Sequence, residues 1–519
     1  MNRYFILSVL LTVLMACREQ ASDTGTPSPP NILLFFVDDM GWQDTSVPFW
    51  TERTAFNDRY RTPNMERLAA AGMKFTQAYA TPVCSPTRIS LMTGMNAARH
   101  RVTNWTLHKD RLQPMETDHA SLQFPHWNVN GLSPDSTIEH AVYATAYPRL
   151  LQDAGYYTVH AGKAHFGAIG TPGESPLNVG FDVNIGGHAA GAPKSYYGKE
   201  NFGNTAAFKD SPWPVPGLEK YHGKDIFLTE ALKEEALAAL ALPLAKEQPF
   251  FLYMSLYTVH TPITADPRFF DAYLTAGLDT IEARYASMVE GMDKCLGDLM
   301  DFLEEKKVDD NTIILFMSDN GGLSALARGG EPHTHNKPLS SGKGSVHEGG
   351  IREPMLVKWP GVTPAQSQND NYLIIEDFYP TILEMAGIEN YQIPQTLDGE
   401  SFVSLLEEPG KQEQTRPLFW HYPNEWGPSG PGIGAFSAVR KGDWKLIYYH
   451  IDESFELFNL KEDIGEQHNR ATTEVQKQKE LAEVLTNYLQ TVEAQMPSHK
   501  STGLAVAWPN EKSINSKEE

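Results

Sequence analysis

Apolar positions in this chain gather into a few dense runs, and two of those runs end alike. Ile32-Leu33-Leu34-Phe35-Phe36-Val37 stops at Asp38-Asp39-Met40-Gly41, and Thr312-Ile313-Ile314-Leu315-Phe316-Met317 stops at Ser318-Asp319-Asn320-Gly321-Gly322. Continuous apolar stretches of this length fit strands buried on both faces of a parallel sheet. Between 281 and 307 the period changes. Tyr285, Met288, Val289, Met292, Leu296, Leu299, Met300 and Leu303 recur at spacings of three and four, which predicts a helix with one apolar face. Residues 250–257, 156–161 and 355–358 supply further strands. The expected architecture is α/β: a large, mostly parallel central sheet flanked by helices, with its chemistry at the carboxyl edge where the acids sit.

After Gly410 the runs shorten. Residues 436–449 (FSAVRKGDWKLIYY) predict a hairpin turning at Lys441-Gly442-Asp443, residues 455–460 another strand, and residues 473–495 a polar helix. These describe a smaller C-terminal α+β subdomain with an antiparallel sheet. The polar chain beyond Ser498 is expected to fray. At the other end Arg3 precedes a short apolar run from Tyr4 to Leu14, closed by Met15-Ala16-Cys17. The run is shorter than the roughly 18–20 residues a spanning helix needs and predicts a secretory signal instead. The chain thus divides into a leader (1–17), a Ser/Thr/Pro/Gly tether (18–30), a main α/β domain (31–410), the C-terminal subdomain (411–498) and a polar tail (499–519), with no repeat at any solenoid period.

Composition narrows the function. A chain of 519 residues buries a core without staples. Its 43 Lys+Arg against 65 Asp+Glu leave a net charge of −22, which argues against a nucleic-acid footprint. A local cationic pocket for a small anion remains open. Three cysteines, Cys17, Cys84 and Cys295, exclude a disulfide framework. Cys295 falls on the apolar face of the 281–307 helix and reads as core packing.

Cys84 lies in Thr81-Pro82-Val83-Cys84-Ser85-Pro86-Thr87-Arg88, an uncommon Cys-x-Pro-x-Arg arrangement. Taken alone it is either a buried free thiol or a functional group. Asp38, Asp39, Asp319 and Asn320 offer only oxygen donors from two strand ends, a set that suits Ca2+ or Mg2+ rather than Zn2+. Acids and amides also end strands with no metal involved. Lys163 and His165 (Gly162-Lys163-Ala164-His165-Phe166-Gly167), His260 (His260-Thr261-Pro262) and Lys343 (Gly342-Lys343-Gly344) add cations and proton carriers. His421 and Trp426 suit a sugar-binding wall or plain packing, and His333 and His335 are loop histidines able to touch a substrate.

With Leu91-Met92-Thr93-Gly94 downstream of Cys84 and Glu348-Gly349-Gly350-Ile351-Arg352-Glu353-Pro354 downstream of Lys343, the chain resembles the type I sulfatases of the alkaline-phosphatase-like superfamily from about 31 to 469. The resemblance implies that Cys84 is converted to formylglycine by a maturation enzyme and that the hydrated aldehyde is the nucleophile. A thiol would form an ester with no easy exit, whereas a gem-diol expels sulfate by collapsing through its second hydroxyl. It also implies Ca2+, with Mg2+ the lesser candidate, held by Asp38, Asp39, Asp319 and Asn320, with the residue-84 oxygen completing the shell. By position, Asp319 would take a proton from the diol, and Arg88, Lys163, Lys343 and the ion would hold the sulfate. His260, aided by Lys343, would be the general acid and His165 the base for diol collapse, two roles the sequence allows to be exchanged. Thr87 stands where Ser is commoner in the family, and Ala164 and Phe166 replace its Trp and Leu.

The leader resembles a bacterial lipobox, with Cys17 the lipidated residue and Arg18 after it compatible with release to the outer membrane; the other reading is an ordinary signal peptide. The expected function is that of an exported enzyme hydrolysing sulfate esters on carbohydrates: sulfated algal glycans such as ulvan, carrageenan or fucoidan fragments, then glycosaminoglycan fragments. The membrane is met only through the lipid anchor, and no nucleic acid is involved. The alternatives are a phosphodiester or phosphonate hydrolase of the same superfamily and a non-catalytic glycan-binding lipoprotein.

Overall fold

The computed structural model describes residues 29–112, 119–411 and 416–512. The leader, and Cys17 with it, lies outside the described residues. The chain builds an eight-stranded sheet from β1 (Asn31–Val37), β2 (Met73–Tyr79), β3 (Tyr157–Gly162), β4 (Val183–Ile185), β5 (Phe250–Ser255), β6 (Thr312–Ser318), β7 (Arg352–Lys358) and β8 (Ser367–Ile374), in the spatial order β8-β2-β7-β6-β1-β5-β3-β4. Every neighbouring pair is parallel except the two that β7 makes, so β7 alone runs against the rest.

β1 is the centre of this sheet and is buried along its whole length. Ile32, Leu34 and Phe36 enter one hydrophobic cluster, and Leu33, Phe35 and Val37 enter the other. Both faces are covered, which explains why the strand is written as an unbroken apolar run. The second cluster is filled largely by the 26-residue helix Thr280–Glu305, whose Tyr285, Met288, Val289, Met292 and Leu296 are buried in the order the periodicity demands. Asp279 caps it by accepting from the Ile281 and Glu282 amides.

Strand register sets the functional edge. Val37 pairs with Ser318, so Asp38 and Asp319 leave the sheet side by side. Gly162 pairs with Ser255 of β5, and β5 lies next to β1, so Lys163 leaves at the same edge two strands from Asp38.

The C-terminal sheet is antiparallel: β9 (Leu418–Tyr422), β10 (Phe436–Lys441), β11 (Trp444–Tyr449) and β12 (Phe455–Asn459) pair in sequence order. Lys441 pairs with Trp444, which leaves Gly442-Asp443 as a two-residue turn with Gly442 at φ +61°. One face of this sheet joins the first cluster through Trp420, Phe436, Ala438 and Ile447. The other packs on the helix Val475–Thr491 through Val439, Leu446 and Leu457 against Leu481, Leu485 and Leu489. The chain beyond Ser498 was expected to fray, yet its described part is packed. Ser498 and His499 pair with Gln123 and Leu122, Val506 is buried, and the Tyr448 hydroxyl donates to the Ala507 carbonyl at 2.9 Å. The few apolar residues of the tail are enough to hold it against the subdomain. No helix among the described residues is long and apolar enough to cross a membrane.

Candidate active site

Cys84 is the first residue of a ten-residue helix, Cys84–Thr93, and is buried. The preceding Val83 is extended and gives no side-chain cap. Helix amides therefore point toward the Cys84 end, and with the helix dipole they favour an anion there. The Gly344 amide donates to the Pro82 carbonyl at 2.8 Å and the Lys343 amide to Gly322 at 3.2 Å, which ties the Lys343 loop to the turn before Cys84 and to the end of β6. The His260 loop is locked to β1: the Asp38 amide donates to Thr258 at 3.0 Å and the Val259 amide to Asp38 at 2.6 Å.

These elements bring three carboxylates and three cations together as pairs. Lys163 Nζ lies 2.7 Å from Asp38 Oδ2, Lys343 Nζ 2.6 Å from Asp39 Oδ1, and Arg88 2.8 Å from Asp319 Oδ2. Asn320 Nδ2 donates to Asp39 Oδ1 at 2.8 Å, and His260 Nε2 lies 3.7 Å from Asp39 Oδ2. Burial, then the neighbouring Asp319, push the Asp38 carboxyl well above its ordinary range, with Lys163 opposing. For Asp39 burial works the same way, but Lys343, His260 and Lys163 outweigh it and hold that carboxyl low. Burial alone would lower the Lys343 ammonium; the Asp39 carboxylate leads the groups that keep it above its usual value. Burial also pushes the Cys84 thiol up, against Lys163 and Lys343, so an unmodified Cys84 is a neutral thiol and a poor nucleophile.

A divalent cation fits this cluster. Asp38 Oδ1, Asp39 Oδ2 and Asn320 Oδ1 are buried with no hydrogen-bond partner, a costly arrangement for oxygens that nothing else satisfies. Ligand atoms of Asp38, Asp39 and His260 lie within 4.8 Å of one another. The unpartnered donors are oxygens, as hard cations require. Asp319, expected in the same shell, has both oxygens engaged, one by Arg88 and the other by the Asp39 amide at 3.2 Å.

A pocket of about 610 Å³ opens over this edge, lined in its depth by Asp39, Cys84, His165, His260 and Lys343. The structure does not bring all the expected sulfate-holding cations to its surface. Arg88 is fully buried, donating to Asp319, to the Lys163 carbonyl at 3.1 Å and to Ser255 Oγ at 2.6 Å, and Lys163 lies behind the pocket against Asp38. His165 Nε2 is 2.9 Å from the Thr106 carbonyl, so that nitrogen carries the hydrogen and the unpartnered Nδ1 is bare. His260 Nδ1 lies 2.9 Å from the Thr261 carbonyl, which leaves Nε2 as the end directed at the cluster. Burial, then Lys343, lower His260 to about 3, and burial, then Lys163, lower His165 well below its ordinary value.

Of the four residues expected to contact substrate, one reaches the pocket. Trp426 lines it. His421 is buried in the C-terminal sheet between Ser437 Oγ and the Gln495 carbonyl. His335 is buried between Ser324 and the Gly329 carbonyl beside a separate cleft of about 320 Å³. His333 is half-buried against Gly430, with Nδ1 on Ser341 Oγ at 3.2 Å, and is not part of the lining. In their place the walls hold Trp105, Trp213, Lys194 and Leu326, loop residues that no motif marks; Trp213 and Leu326 carry the one sequence signal, an aromatic or apolar residue inside a Gly/Pro-rich stretch, and Trp105 and Lys194 carry none.

Comparison with known proteins agrees with this geometry. The family model "Sulfatase" matches residues 30–388, and the model "N-sulphoglucosamine sulphohydrolase, C-terminal" matches residues 342–495. A sulfatase of Formosa agariphila is 28% identical over 90% of this chain and 89% of its own length. The N-acetylgalactosamine-6-sulfatase of Canis lupus familiaris is 30% identical over 90% of this chain and 81% of its own. The crystal structure of Ps i-CgsB in complex with k-i-k-neocarrahexaose superposes with a TM-score of 0.69 at 26% identity, covering 89% of this chain and 93% of that one. A nucleophile-position cysteine at a helix start, an oxygen-lined cation cluster beside it and a family match over most of the chain lead to one conclusion: this chain belongs to the sulfatase family, hydrolases of sulfate esters.

Proposed function

We propose that this protein removes sulfate from sulfated oligosaccharides, using Cys84 as formylglycine and a bound Ca2+. The observation that carries the proposal is the convergence of Cys84, Lys343, His260, His165 and Asp39 on one pocket. Among sulfated sugars, carrageenan-type oligosaccharides come first, because Ps i-CgsB is similar along most of both chains. N-acetylgalactosamine 6-sulfate comes next, from the similarity to the mammalian enzymes.

Formylglycine supplies a hydrated-aldehyde oxygen as the nucleophile at sulfur. Asp38, Asp39 and Asn320 would hold the Ca2+, with Asp319 completing the set once Arg88 shares it, and the ion would draw charge from a sulfate oxygen. The remaining work belongs to side chains in place. Lys343 and the amino end of the Cys84 helix attract the sulfate and the negative charge that grows on it. His260 is neutral in the free pocket. An anionic sulfate arriving beside it offsets the repulsion from Lys343 and favours a proton on Nε2, where the leaving alcohol can take it. The bare Nδ1 of His165 is the base for the second half of the cycle. Arg88 acts from behind, by aligning Asp319 and the Lys163 carbonyl.

Secretion on a lipidated Cys17, with the protein held at the outer membrane, completes the proposal and would suit an enzyme that processes external glycans. The test is sulfate release from defined carrageenan and glycosaminoglycan oligosaccharides, alongside matched aryl sulfate and aryl phosphate. Sulfate release with a strong preference for sulfate over phosphate is expected; a large phosphate preference would overturn the reading.

A further inference from the structure

The cations at the reaction centre are each matched by a carboxylate: Lys343 by Asp39, Lys163 by Asp38, Arg88 by Asp319. Lys194 is different. It lines the same pocket, is exposed, and has no carboxylate partner among the described residues, although the chain carries 22 excess negative charges. Its ammonium instead rests 4.1 Å from the centroid of the Phe208 ring. That contact steadies the head without neutralising it.

The backbone holds this arrangement in place. The Lys194 amide donates to the Trp213 carbonyl at 2.8 Å, closing the loop between them at its neck. Within the loop, Asn201 and Phe202 take φ of +54° and +51°, and Gly203 follows at φ +90°. A Cβ on Gly203 would lie 2.4 Å from Lys194 Cβ, so the glycine gives the lysine stem room to pass. Phe202 and Val215 are buried in the main core, which anchors the loop to the domain. Trp213, half-buried, therefore stands beside Lys194 on the pocket wall, with Trp105 and Trp426, also half-buried, elsewhere in the lining.

We infer that Lys194 and Trp213 form a second subsite. It takes a sugar ring adjoining the reacting one, stacks that ring's apolar face on Trp213, and reads a second anionic oxygen group with Lys194. The group is either another sulfate ester or a uronate carboxylate. A volume of about 610 Å³ falls within the range that encloses drug-sized ligands and leaves space beyond a single sulfated sugar at Cys84. The inference rests on the proposed function in one respect: the first sulfate is placed at Cys84.

Binding in a Cys84→Ser background tests it without turnover, by calorimetry on galactose- and N-acetylgalactosamine-based disaccharides. Each carries one sulfate on the reacting ring, and its neighbour is neutral, sulfated or a glucuronate. A second anion is expected to tighten binding about tenfold, and Lys194→Gln to reduce that ratio below about twofold. The sulfated and glucuronate arms show which anion is preferred. Trp213→Ala is expected to weaken disaccharides more than the corresponding monosaccharide sulfates. Equal affinity for singly and doubly anionic probes, an unchanged ratio in Lys194→Gln, or no binding by any probe overturns the subsite. Sulfate release by the matured enzyme from the singly sulfated probes is measured separately. Failure there with the binding ratio intact would sink the proposed reaction and leave the subsite standing.

Discussion

Replacing Lys343 by Met separates two jobs that the geometry assigns to one ammonium. Lys343 is 7% exposed and bonds at 2.6 Å to the fully buried Asp39. It is also the lysine deep in the pocket beside Cys84. As a preorganised charge facing the sulfate, its removal should cost about 2.7–4 kcal/mol of transition-state stabilisation, a drop of roughly 10²–10³ in kcat/KM. As the partner of Asp39, its removal strands a buried carboxylate near Asp38 and Asp319, at about 3–5 kcal/mol in the metal-free protein. A bound Ca2+ would return the missing positive charge, so the metal should protect the variant against thermal unfolding more than it protects the wild type. The assays are steady-state turnover of an aryl sulfate and melting curves with Ca2+ and with chelator. A loss of kcat/KM under about threefold, or an equal Ca2+ increment in both proteins, would refute the reasoning.

Three further outcomes are expected. Arg328 is fully buried between Asp44 and Glu282, and Asp44 Oδ2 also accepts from the Tyr285 hydroxyl at 2.6 Å, so Arg328→Met should destabilise the protein by about 3–5 kcal/mol; a change below about 1 kcal/mol in denaturant unfolding contradicts this. Burial lowers His421 to about 4, so the unfolded chain binds the extra proton between pH 6.5 and 4. Stability is then full above pH 6.5 and lost as pH falls, by about 2 kcal/mol at pH 5 from this residue, and His421→Gln should flatten the pH dependence of the melting temperature. Cys17→Ser should move the protein from the membrane fraction to the soluble fraction of its native host, and unchanged fractionation would remove the proposed lipid anchor.

The parts of this molecule that were legible in the sequence are those under a single strong constraint. β1 and β6 are buried on both faces, so their composition could only be apolar, and their acids end at one edge because the register Val37–Ser318 places them there. The long helix kept its period because one face is entirely core. β2 and β8 were not visible: their sequences, MKFTQAY and SQNDNYLI, mix polar residues with apolar ones because these strands lie toward the sheet's edge. In β8, Asn369 is buried yet satisfied by the Leu405 carbonyl, a tertiary contact no local pattern carries.

The site divides the same way. Residues around Cys84, Asp38, Asp319, Lys163, His260 and Lys343 sit in compact motifs, and the fold gathers them. What each one touches was not written in those motifs. Arg88, on the same helix as Cys84, is fully buried against Asp319 and Ser255 and is not part of the pocket lining. His421 had the company of a binding wall, Phe419-Trp420-His421-Tyr422, but alternate positions of a strand face opposite sides and this one faces a buried Ser437–His450 contact. Lys194 and Trp213 are joined by a backbone bond across a nineteen-residue step that has no periodicity. Specificity-bearing walls are loops, and loops are the part of a sequence with the weakest pattern.

The most direct test of the central claim is peptide mass spectrometry of position 84 combined with turnover. Protein from a formylglycine-competent host should yield a peptide around Cys84 about 18 Da lighter than the thiol form, and sulfate release per molecule should rise in proportion to the converted fraction. Full sulfate release from protein in which Cys84 is wholly an unmodified thiol would contradict the account.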